Sequence, residues 1–212
     1  MKGKVIMIAG HCGVGKTVAV EYFMQNLPNA VLLDCDAIMW DSIIKNPSVY
    51  EKVFGLPVTQ DHGLKYMIDF ISTGKMTVKI HKNFVDTAVP FVEAGVRAEI
   101  ERLKSKGNAD YIIAEWTCSP SYKKLWDAAD VRVFIKAKTR ELLTSVVIAR
   151  TIRQGATPEA AAGEANMRFE SMTHLIDIAK NIDFELVNSY DEVFFQDLKK
   201  CAIAIKSRFD IS

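Results

Sequence analysis

The sequence has 212 residues, of which 49% are hydrophobic and 25% are charged, and its formal net charge is +1 at pH 7. This length and composition suit one ordinary domain with its own core, which we place at residues 1–212. The balanced charge excludes a strongly basic protein, so it gives no general attraction to nucleic acids or to membrane surfaces. We therefore expect no nucleic-acid partner and no membrane partner, and any cationic binding site must be local.

The cysteines and the N-terminus bear on the compartment. The four cysteines are scattered, without a C-x-x-C pair or a zinc-like spacing with histidine. No apolar run is long enough to cross a membrane, and the N-terminus leads directly into a predicted strand without the core of a signal peptide. Since isolated cysteines are typical of a reducing compartment, we expect a cytoplasmic protein.

The first strong pattern is a strand, a loop and a helix. Residues 5–9 form a short apolar run that predicts a buried strand, and residues 18–24 have a helical pattern. Between them, residues 10–17 read GHCGVGKT, which fits the pattern G-x-x-x-x-G-K-[ST]. A strand before this pattern and a helix after it are the context that a phosphate-binding loop (a Walker A motif) requires.

The loop has a specific phosphate chemistry. Its glycines let backbone N–H groups turn towards phosphate oxygens, and the helix N-terminus adds positive potential. Lys16 would reach the outer phosphates, and the hydroxyl group of Thr17 would ligate magnesium. The alternative is a glycine-rich turn that has a lysine by chance, but the strand and helix context favours a nucleoside triphosphate. The predicted nucleotide-binding residues are Gly10, His11, Cys12, Gly13, Val14, Gly15, Lys16, Thr17 and Val18.

The rest of the chain alternates between strands and helices. Four further apolar runs predict strands at residues 30–33, 111–114, 131–135 and 184–187. Helical patterns occupy residues 37–45, 78–106, 119–128, 139–154, 157–181 and 192–208. Pro90 and Gly95 predict a kink or a division of the longest helix. Residues 48–75 are hard to interpret, apart from a helical pattern at 64–71. This alternation predicts an α/β fold with a five-stranded parallel sheet.

Three carboxylates follow predicted strands: Asp34, Asp36 and Glu115. In a parallel sheet with right-handed crossovers, the carboxyl ends of the strands lie at one edge, where ligands bind. Asp36 is the candidate that orients or deprotonates an attacking hydroxyl group, and Asp34 is its neighbouring candidate. The alternative is that one of them caps the following helix. Glu115 is predicted to act on magnesium or its waters, the alternative being a surface position.

Three arginines predict a lid. Arg150 and Arg153 are three residues apart, hence on one helix face, and Gly155 follows them; Arg168 lies on the next helix. A helix, a break and a second helix with inward arginines are typical of a closing lid, here at about residues 150–170. Such cations neutralise charge on a moving phosphoryl group. The alternative is that these arginines are solvated on the surface.

Two further patterns bear on the type of reaction that a bound triphosphate would undergo. The sequence has no N-K-x-D motif for guanine, which disfavours a GTPase. The third predicted strand ends in a single carboxylate, Glu115, whereas ATP-driven motors usually have two. Phosphoryl transfer from ATP to a small molecule is therefore favoured, with Lys16, Asp36 and Arg150 as catalytic residues and Mg²⁺ as cofactor.

Together these features resemble dephospho-CoA kinase, in the branch of P-loop proteins that is similar to nucleoside-monophosphate kinases. The resemblance lies in the loop, in Asp34-Cys35-Asp36 after the second strand, in His81 near the start of a long helix, and in Arg150, Arg168 and Asn188. It implies a three-layer α/β/α kinase fold with a helical substrate-binding insertion at about residues 48–107. It also implies that Asp36 acts as base towards a ribose 3′-hydroxyl group. With the lid arginine Arg153 included, the predicted substrate-binding residues are Asp34, His81, Arg153 and Arg168.

The sequence departs from that family on the acceptor side. Val18 replaces a hydroxyl residue after Thr17, Lys82 replaces a proline after His81, and Val146 stands where the lid helix usually has an arginine. Two alternatives therefore stay open. One is a P-loop kinase for another nucleotide or small metabolite, and the other is a non-catalytic or regulatory nucleotide-binding protein.

Overall fold

The fold is built on one parallel sheet. The computed structural model describes residues 3–55, 77–117, 120, 123–177 and 179–209. The strands are β1 (Lys4–Gly10), β2 (Ala30–Asp34), β3 (Tyr111–Glu115), β4 (Val131–Ala137) and β5 (Phe184–Asn188). They lie in the order β2-β3-β1-β4-β5, and every neighbouring pair is parallel. The five predicted strands are thus confirmed, each slightly longer than its apolar run.

The helices follow the strands in alternation. Eight helices lie in the described residues: α1 (Lys16–Asn26), α2 (Cys35–Lys45), α3 (Pro47–Phe54), α4 (Val78–Lys106), α5 (Lys123–Ala128), α6 (Arg140–Arg153), α7 (Pro158–Asp177) and α8 (Glu192–Phe209). Thr139 and Thr157 accept hydrogen bonds from N–H groups three residues later, at the starts of α6 and α7. Each threonine is the first residue of a predicted helical range and caps the N-terminus of that helix.

Two apolar cores cover the two faces of the sheet. Along β1, alternate side chains point to opposite faces, and all but the first residue are buried. On one face, Val5 and Met7 belong to a core that includes residues of α2, α4 and α5. On the other face, Ile6 and Ile8 belong to a core that includes residues of α1, α6 and α8. The molecule therefore has the predicted three layers, with β1 and its loop at the centre.

Three elements differ from the predictions. The helix predicted from residue 37 begins at Cys35, because the carboxylate of Asp34 accepts the N–H group of Ala37 and starts the helix earlier. The predictions left out α3, although Asn46, Pro47 and Gly55 mark its start and end. The long helix is not divided at Pro90, because buried residues on both sides pack it against the sheet as one helix: Phe84, Val92, Val96 and Ile100.

Two predictions fall partly or wholly outside the described residues. The helical pattern at 64–71 lies outside them, and so do residues 119, 121 and 122 of the helix predicted at 119–128. No helix in the described ranges is long and apolar enough to cross a membrane.

Candidate active site

The phosphate loop joins β1 to α1 through three glycines with positive φ. The φ angles are 146° at Gly10, 84° at Gly13 and 94° at Gly15. A Cβ atom at Gly10 would lie 2.2 Å from the carbonyl oxygen of Ile135 in the neighbouring strand. The loop can therefore form its tight curl only with glycine at this position.

The N-terminus of α1 is open to an anion. Its N-cap is Gly15, which has no side chain that could accept the N–H groups of the first turn. Those N–H groups also have no partner within the helix, and the helix dipole favours negative charge there. The loop and the first turn thus provide the backbone donors that a phosphate group needs.

The residues at the end of β5 and in the turn after it form hydrogen bonds with the phosphate loop. The side-chain amide of Asn188 donates to the carbonyl oxygen of Val14 at 2.9 Å, and its oxygen accepts the N–H group of Tyr190 at 2.6 Å. The hydroxyl group of Tyr190 donates to the carbonyl oxygen of Gly13 at 3.1 Å. Asn188 is 4% exposed, so its bond to Val14 is buried, and the bonds of Asn188 and Tyr190 together fix the loop carbonyls. Sequence reasoning did not assign Tyr190, and an aromatic residue two positions after a strand-end asparagine is a weak signal.

Lys16 is held inside the loop. It is 7% exposed, and its Nζ atom donates to the carbonyl oxygen of His11 at 3.0 Å. The same atom lies 3.5 Å from Oε1 of Glu115 at the end of β3. The sheet order explains this contact, because β1 and β3 are neighbours with Ile8 opposite Glu115.

The three carboxylates lie at the same edge of the sheet. Asp34 is opposite Glu115 across β2 and β3, and Asp36 is in the first turn of α2. The oxygen of Asp34 accepts the N–H group of Ala37 at 2.8 Å. Capping is therefore the observed role of Asp34, and Asp36 remains available for chemistry.

Burial and repulsion raise the pKa values of two of these carboxylates. The pKa of Asp36 is raised by burial and by the charge of Asp34, although Lys16, Arg168 and a hydrogen bond with Trp116 oppose the rise. The pKa of Glu115 is raised by burial and by the charges of Asp36 and Asp34, and Lys16 opposes it. An acid with a raised pKa is a better proton acceptor near neutral pH than an ordinary aspartate.

Two of the three arginines of the predicted lid reach the loop. One guanidinium nitrogen of Arg150 lies 3.0 Å from Sγ of Cys12, and one nitrogen of Arg168 lies 3.3 Å from the same sulfur. Arg168 also forms an ion pair with Glu164 at 2.6 Å. Arg153 is exposed, and its Nε donates to the carbonyl oxygen of Ala149 in its own helix. The structure thus places Arg150 and Arg168 at the loop and Arg153 on the outer side of α6.

A ring stack links the loop to α7. The rings of His11 and Phe169 are parallel, with centroids 5.0 Å apart, and the guanidinium group of Arg140 lies 4.2 Å from the Phe169 centroid. Burial and the charge of Lys16 lower the pKa of His11 to about 4, so its ring is neutral near pH 7. These three residues line a cleft of about 470 Å³ between β4, β5, α6 and α7. The stack fixes α7 against the loop.

Three further predicted site residues are Thr17, Val18 and His81. Thr17 and Val18 are exposed in the first turn of α1, directly after Lys16. His81 lies in α4, near its start, but its side chain is outside the described part of the structure. Residues 56–76, which the predictions assign to the acceptor side, are also outside it.

Comparisons with known proteins agree on the fold. The sequence matches no protein-family profile and no curated protein. The structure is similar to TT1252 from Thermus thermophilus, with a TM-score of 0.65 and 17% identity over 99% of both chains. It is also similar to dephospho-CoA kinase from Campylobacter jejuni, with a TM-score of 0.50 and 15% identity over 96% of both chains. The chain therefore has the three-layer α/β/α fold of P-loop kinases, as its motifs indicate.

Proposed function

We propose that this protein is an ATP-dependent kinase that transfers the γ-phosphoryl group of Mg-ATP to a hydroxyl group of a small molecule. The observation that carries the proposal is the meeting of opposite charges at one sheet edge. Lys16 from α1 and Arg168 from α7 both act on the Asp36 carboxylate, since the positive charge of each opposes the rise in its pKa. A phosphate loop, a proton acceptor and lid cations in one place are the parts that phosphoryl transfer requires.

Magnesium fits the chemistry of this edge. The Thr17 hydroxyl group and the Glu115 carboxylate are the hard oxygen ligands that Mg²⁺ prefers. Part of the raised pKa of Glu115 comes from repulsion by Asp34 and Asp36, and a bound cation would relieve it. We assign Thr17 as a direct ligand and Glu115 as a ligand of the metal or of its waters. The ion would supply charge neutralisation on the phosphates when bound.

In the proposed reaction, Asp36 accepts the proton of the acceptor hydroxyl group. The hydroxyl oxygen attacks the γ-phosphorus atom, and the bond from this phosphorus to the oxygen that bridges the β- and γ-phosphates breaks, which releases ADP. Lys16 stabilises the outer phosphates, while Arg150 and Arg168 neutralise the charge on the transferring group. Because Arg153 contacts only its own helix in the described bonds, Arg168 is the better second lid cation.

Dephospho-CoA is the leading acceptor, with Asp36 acting on its ribose 3′-hydroxyl group. The Asp34-Cys35-Asp36 segment supports this choice, and so does the similar fold of the Campylobacter jejuni enzyme. Another nucleotide or a small metabolite is the alternative, which Val18, Lys82 and Val146 favour.

The decisive experiment measures ATP consumption with a panel of hydroxyl-bearing acceptors that includes dephospho-CoA, nucleosides, nucleotides and sugars. We expect one acceptor to raise turnover well above background and to gain one phosphoryl group by mass spectrometry. The proposal fails if no acceptor does so while the chain binds Mg-ATP. A thermal-shift screen ranks the same compounds by the rise in melting temperature that each one causes, because ligands that bind the folded state raise its apparent stability.

The second candidate is a regulatory protein that binds nucleotide without transferring phosphate. The departures on the acceptor side favour it, whereas the loop itself keeps every element of the phosphate-binding pattern. Binding of ATP that Lys16→Ala abolishes, together with no phosphorylated product from any acceptor, would identify this function.

A further inference from the structure

One sulfur atom connects the phosphate loop to both lid helices. Cys12 is the third residue of the loop, and its Sγ atom is within hydrogen-bond distance of Arg150 from α6 and of Arg168 from α7. No feature of a phosphate-binding loop requires cysteine at this variable position. The contact therefore calls for a reason that is specific to this chain.

Three cations act on the sulfur: Arg168, Arg150 and Lys16. Two guanidinium groups that approach the same atom repel each other unless an anion lies between them. Burial raises the pKa of the Cys12 thiol, but Arg168, Arg150 and Lys16 together lower it below its ordinary value. By contrast, burial raises the pKa values of the Cys35 and Cys201 thiols. The Cys12 sulfur is thus the one that these surroundings stabilise as a thiolate among the described cysteines.

Arg150 has a hydrogen-bond donor that no described residue accepts. Its Nε atom is buried and has no hydrogen-bond partner among the described residues. A buried donor without a partner is costly, so its position needs an explanation. Phosphate oxygens, which guanidinium groups bind through two parallel N–H donors, would satisfy it.

We propose that Cys12 is a positioning residue of the phosphate loop. Its sulfur holds the guanidinium groups of Arg150 and Arg168 beside the loop while no nucleotide is bound, and the phosphate oxygens replace the sulfur as their partner when nucleotide binds. The inference rests on the proposed function, because it takes the ligand to be a triphosphate. Since the sulfur and the phosphate compete for the same arginines, the pKa of the Cys12 thiol should rise when nucleotide binds.

Thiol alkylation tests the first half of the proposal. The thiolate attacks iodoacetamide and displaces iodide, so the rate at each pH reports the thiolate fraction. Peptide mass spectrometry gives this rate for Cys12 in the wild type, Arg150→Gln, Arg168→Gln and the matched control Arg153→Gln. We expect Arg150→Gln and Arg168→Gln to shift the pH profile of the rate towards higher pH and to slow the reaction several-fold at neutral pH. The control should keep the wild-type profile. Unchanged profiles in Arg150→Gln and Arg168→Gln would overturn the proposal.

Binding of Mg-ATP, measured by calorimetry, tests the replacement. We expect Cys12→Ser to change Kd by about threefold or more in the wild type and to change it much less in Arg150→Gln, because residues that act together are not additive. Saturating Mg-ATP should also suppress alkylation of Cys12, whereas adenosine should not. Independent effects of Cys12→Ser and Arg150→Gln, or a Cys12 that reacts equally fast with Mg-ATP bound, would contradict the proposal.

These outcomes separate the two claims. Neither experiment needs turnover, so a chain that binds Mg-ATP and passes both tests but phosphorylates no acceptor refutes the kinase and keeps the role of Cys12. A chain that phosphorylates an acceptor while Cys12 fails either test keeps the kinase and refutes the role of Cys12. A chain that does not bind Mg-ATP refutes both.

Discussion

The ammonium group of Lys16 lies 3.5 Å from the carboxylate of Glu115 and 3.0 Å from the carbonyl oxygen of His11. The lysine therefore has an acidic and a neutral partner inside the protein before any phosphate arrives. Because Lys16 is buried, its charge needs such partners in the free protein. Glu115 consequently affects the phosphate site even if it never touches the nucleotide.

Replacing Lys16 by methionine should weaken Mg-ATP binding. A charge-assisted bond to phosphate is worth about 1.5–3 kcal/mol, which corresponds to a loss of roughly ten- to hundredfold in affinity. Calorimetry measures this change. The control is Lys200→Met, which removes an exposed lysine paired with Asp197 on α8 and should leave Kd as it is. Equal effects of the two substitutions would show that Lys16 acts only through the net charge.

Replacing Asp36 by asparagine should abolish transfer and spare Mg-ATP binding. Loss of a general base lowers kcat by about 10²–10⁴-fold, while the loop donors remain in place. Steady-state kinetics with the best acceptor, together with calorimetry, separate the two effects. A variant that keeps the full rate would remove Asp36 from the mechanism.

Asp36 should also make activity and stability depend on pH in opposite ways. Its pKa is raised above 3.8 in the folded protein, so the rate should fall as the pH drops through this raised value. The folded state binds the Asp36 proton more tightly than the unfolded state does, so its charge costs stability at neutral pH. Asp36→Asn should therefore increase the free energy of unfolding at neutral pH, with the difference disappearing below pH 3.8. Urea titrations across pH measure it, and a difference that does not vary with pH would refute this account.

Asn188 should matter for both folding and binding. Asn188→Ala would leave the carbonyl group of Val14 and the N–H group of Tyr190 without their buried partner, at a cost of about 1–3 kcal/mol. Because the same bonds fix the loop, affinity for Mg-ATP should fall too. Urea denaturation and calorimetry measure the two effects. Asn26→Ala removes a similar but exposed bond to Tyr22 and serves as the control. Similar losses in both variants would contradict a special role for Asn188.

Two glycine substitutions should act in opposite directions. At Gly15, a Cβ atom would lie 2.6 Å from the Asn188 amide nitrogen, and the φ angle of 94° adds strain of about 1–2 kcal/mol. Gly15→Ala should therefore lower both stability and nucleotide affinity. At Gly163, within α7, a Cβ atom meets nothing within 4 Å. Gly163→Ala should stabilise the protein by about 0.5–1 kcal/mol. Melting temperatures and Kd values compare the two, and a harmless Gly15→Ala would refute the tight-loop geometry.

The sequence predicts the central part of this fold well. Residues 5–9 are a continuous apolar run because β1 is buried on both faces, and GHCGVGKT has glycines where the backbone has positive φ. Both signals are local, so they can be recognised in the sequence without knowledge of the tertiary structure. The position of Asp36 and Glu115 at one edge also follows, since parallel strands bring their carboxyl ends together.

Features that depend on tertiary contacts were harder to predict. Pro90 argues against a continuous helix, yet packing of α4 along the sheet keeps it continuous. Spacing puts Arg150 and Arg153 on one face, but only the fold shows that Arg150 reaches Cys12 and that Arg153 does not. The bond between Tyr190 and Gly13 joins residues that are far apart in the chain, and no local pattern encodes it.

The glycine at position 95 has a mechanical consequence. In the described structure, a Cβ atom there would lie only 2.6 Å from a methyl group of Ile38, so α4 approaches α2 closely at this point and a side chain at position 95 would collide with Ile38. Asp36 is in the first turn of α2, two residues before Ile38. A displacement of α4 towards Ile38 would therefore press on the helix that has the proposed base. If Asp36 is the base, an acceptor that displaces α4 would also shift the carboxylate that takes its proton.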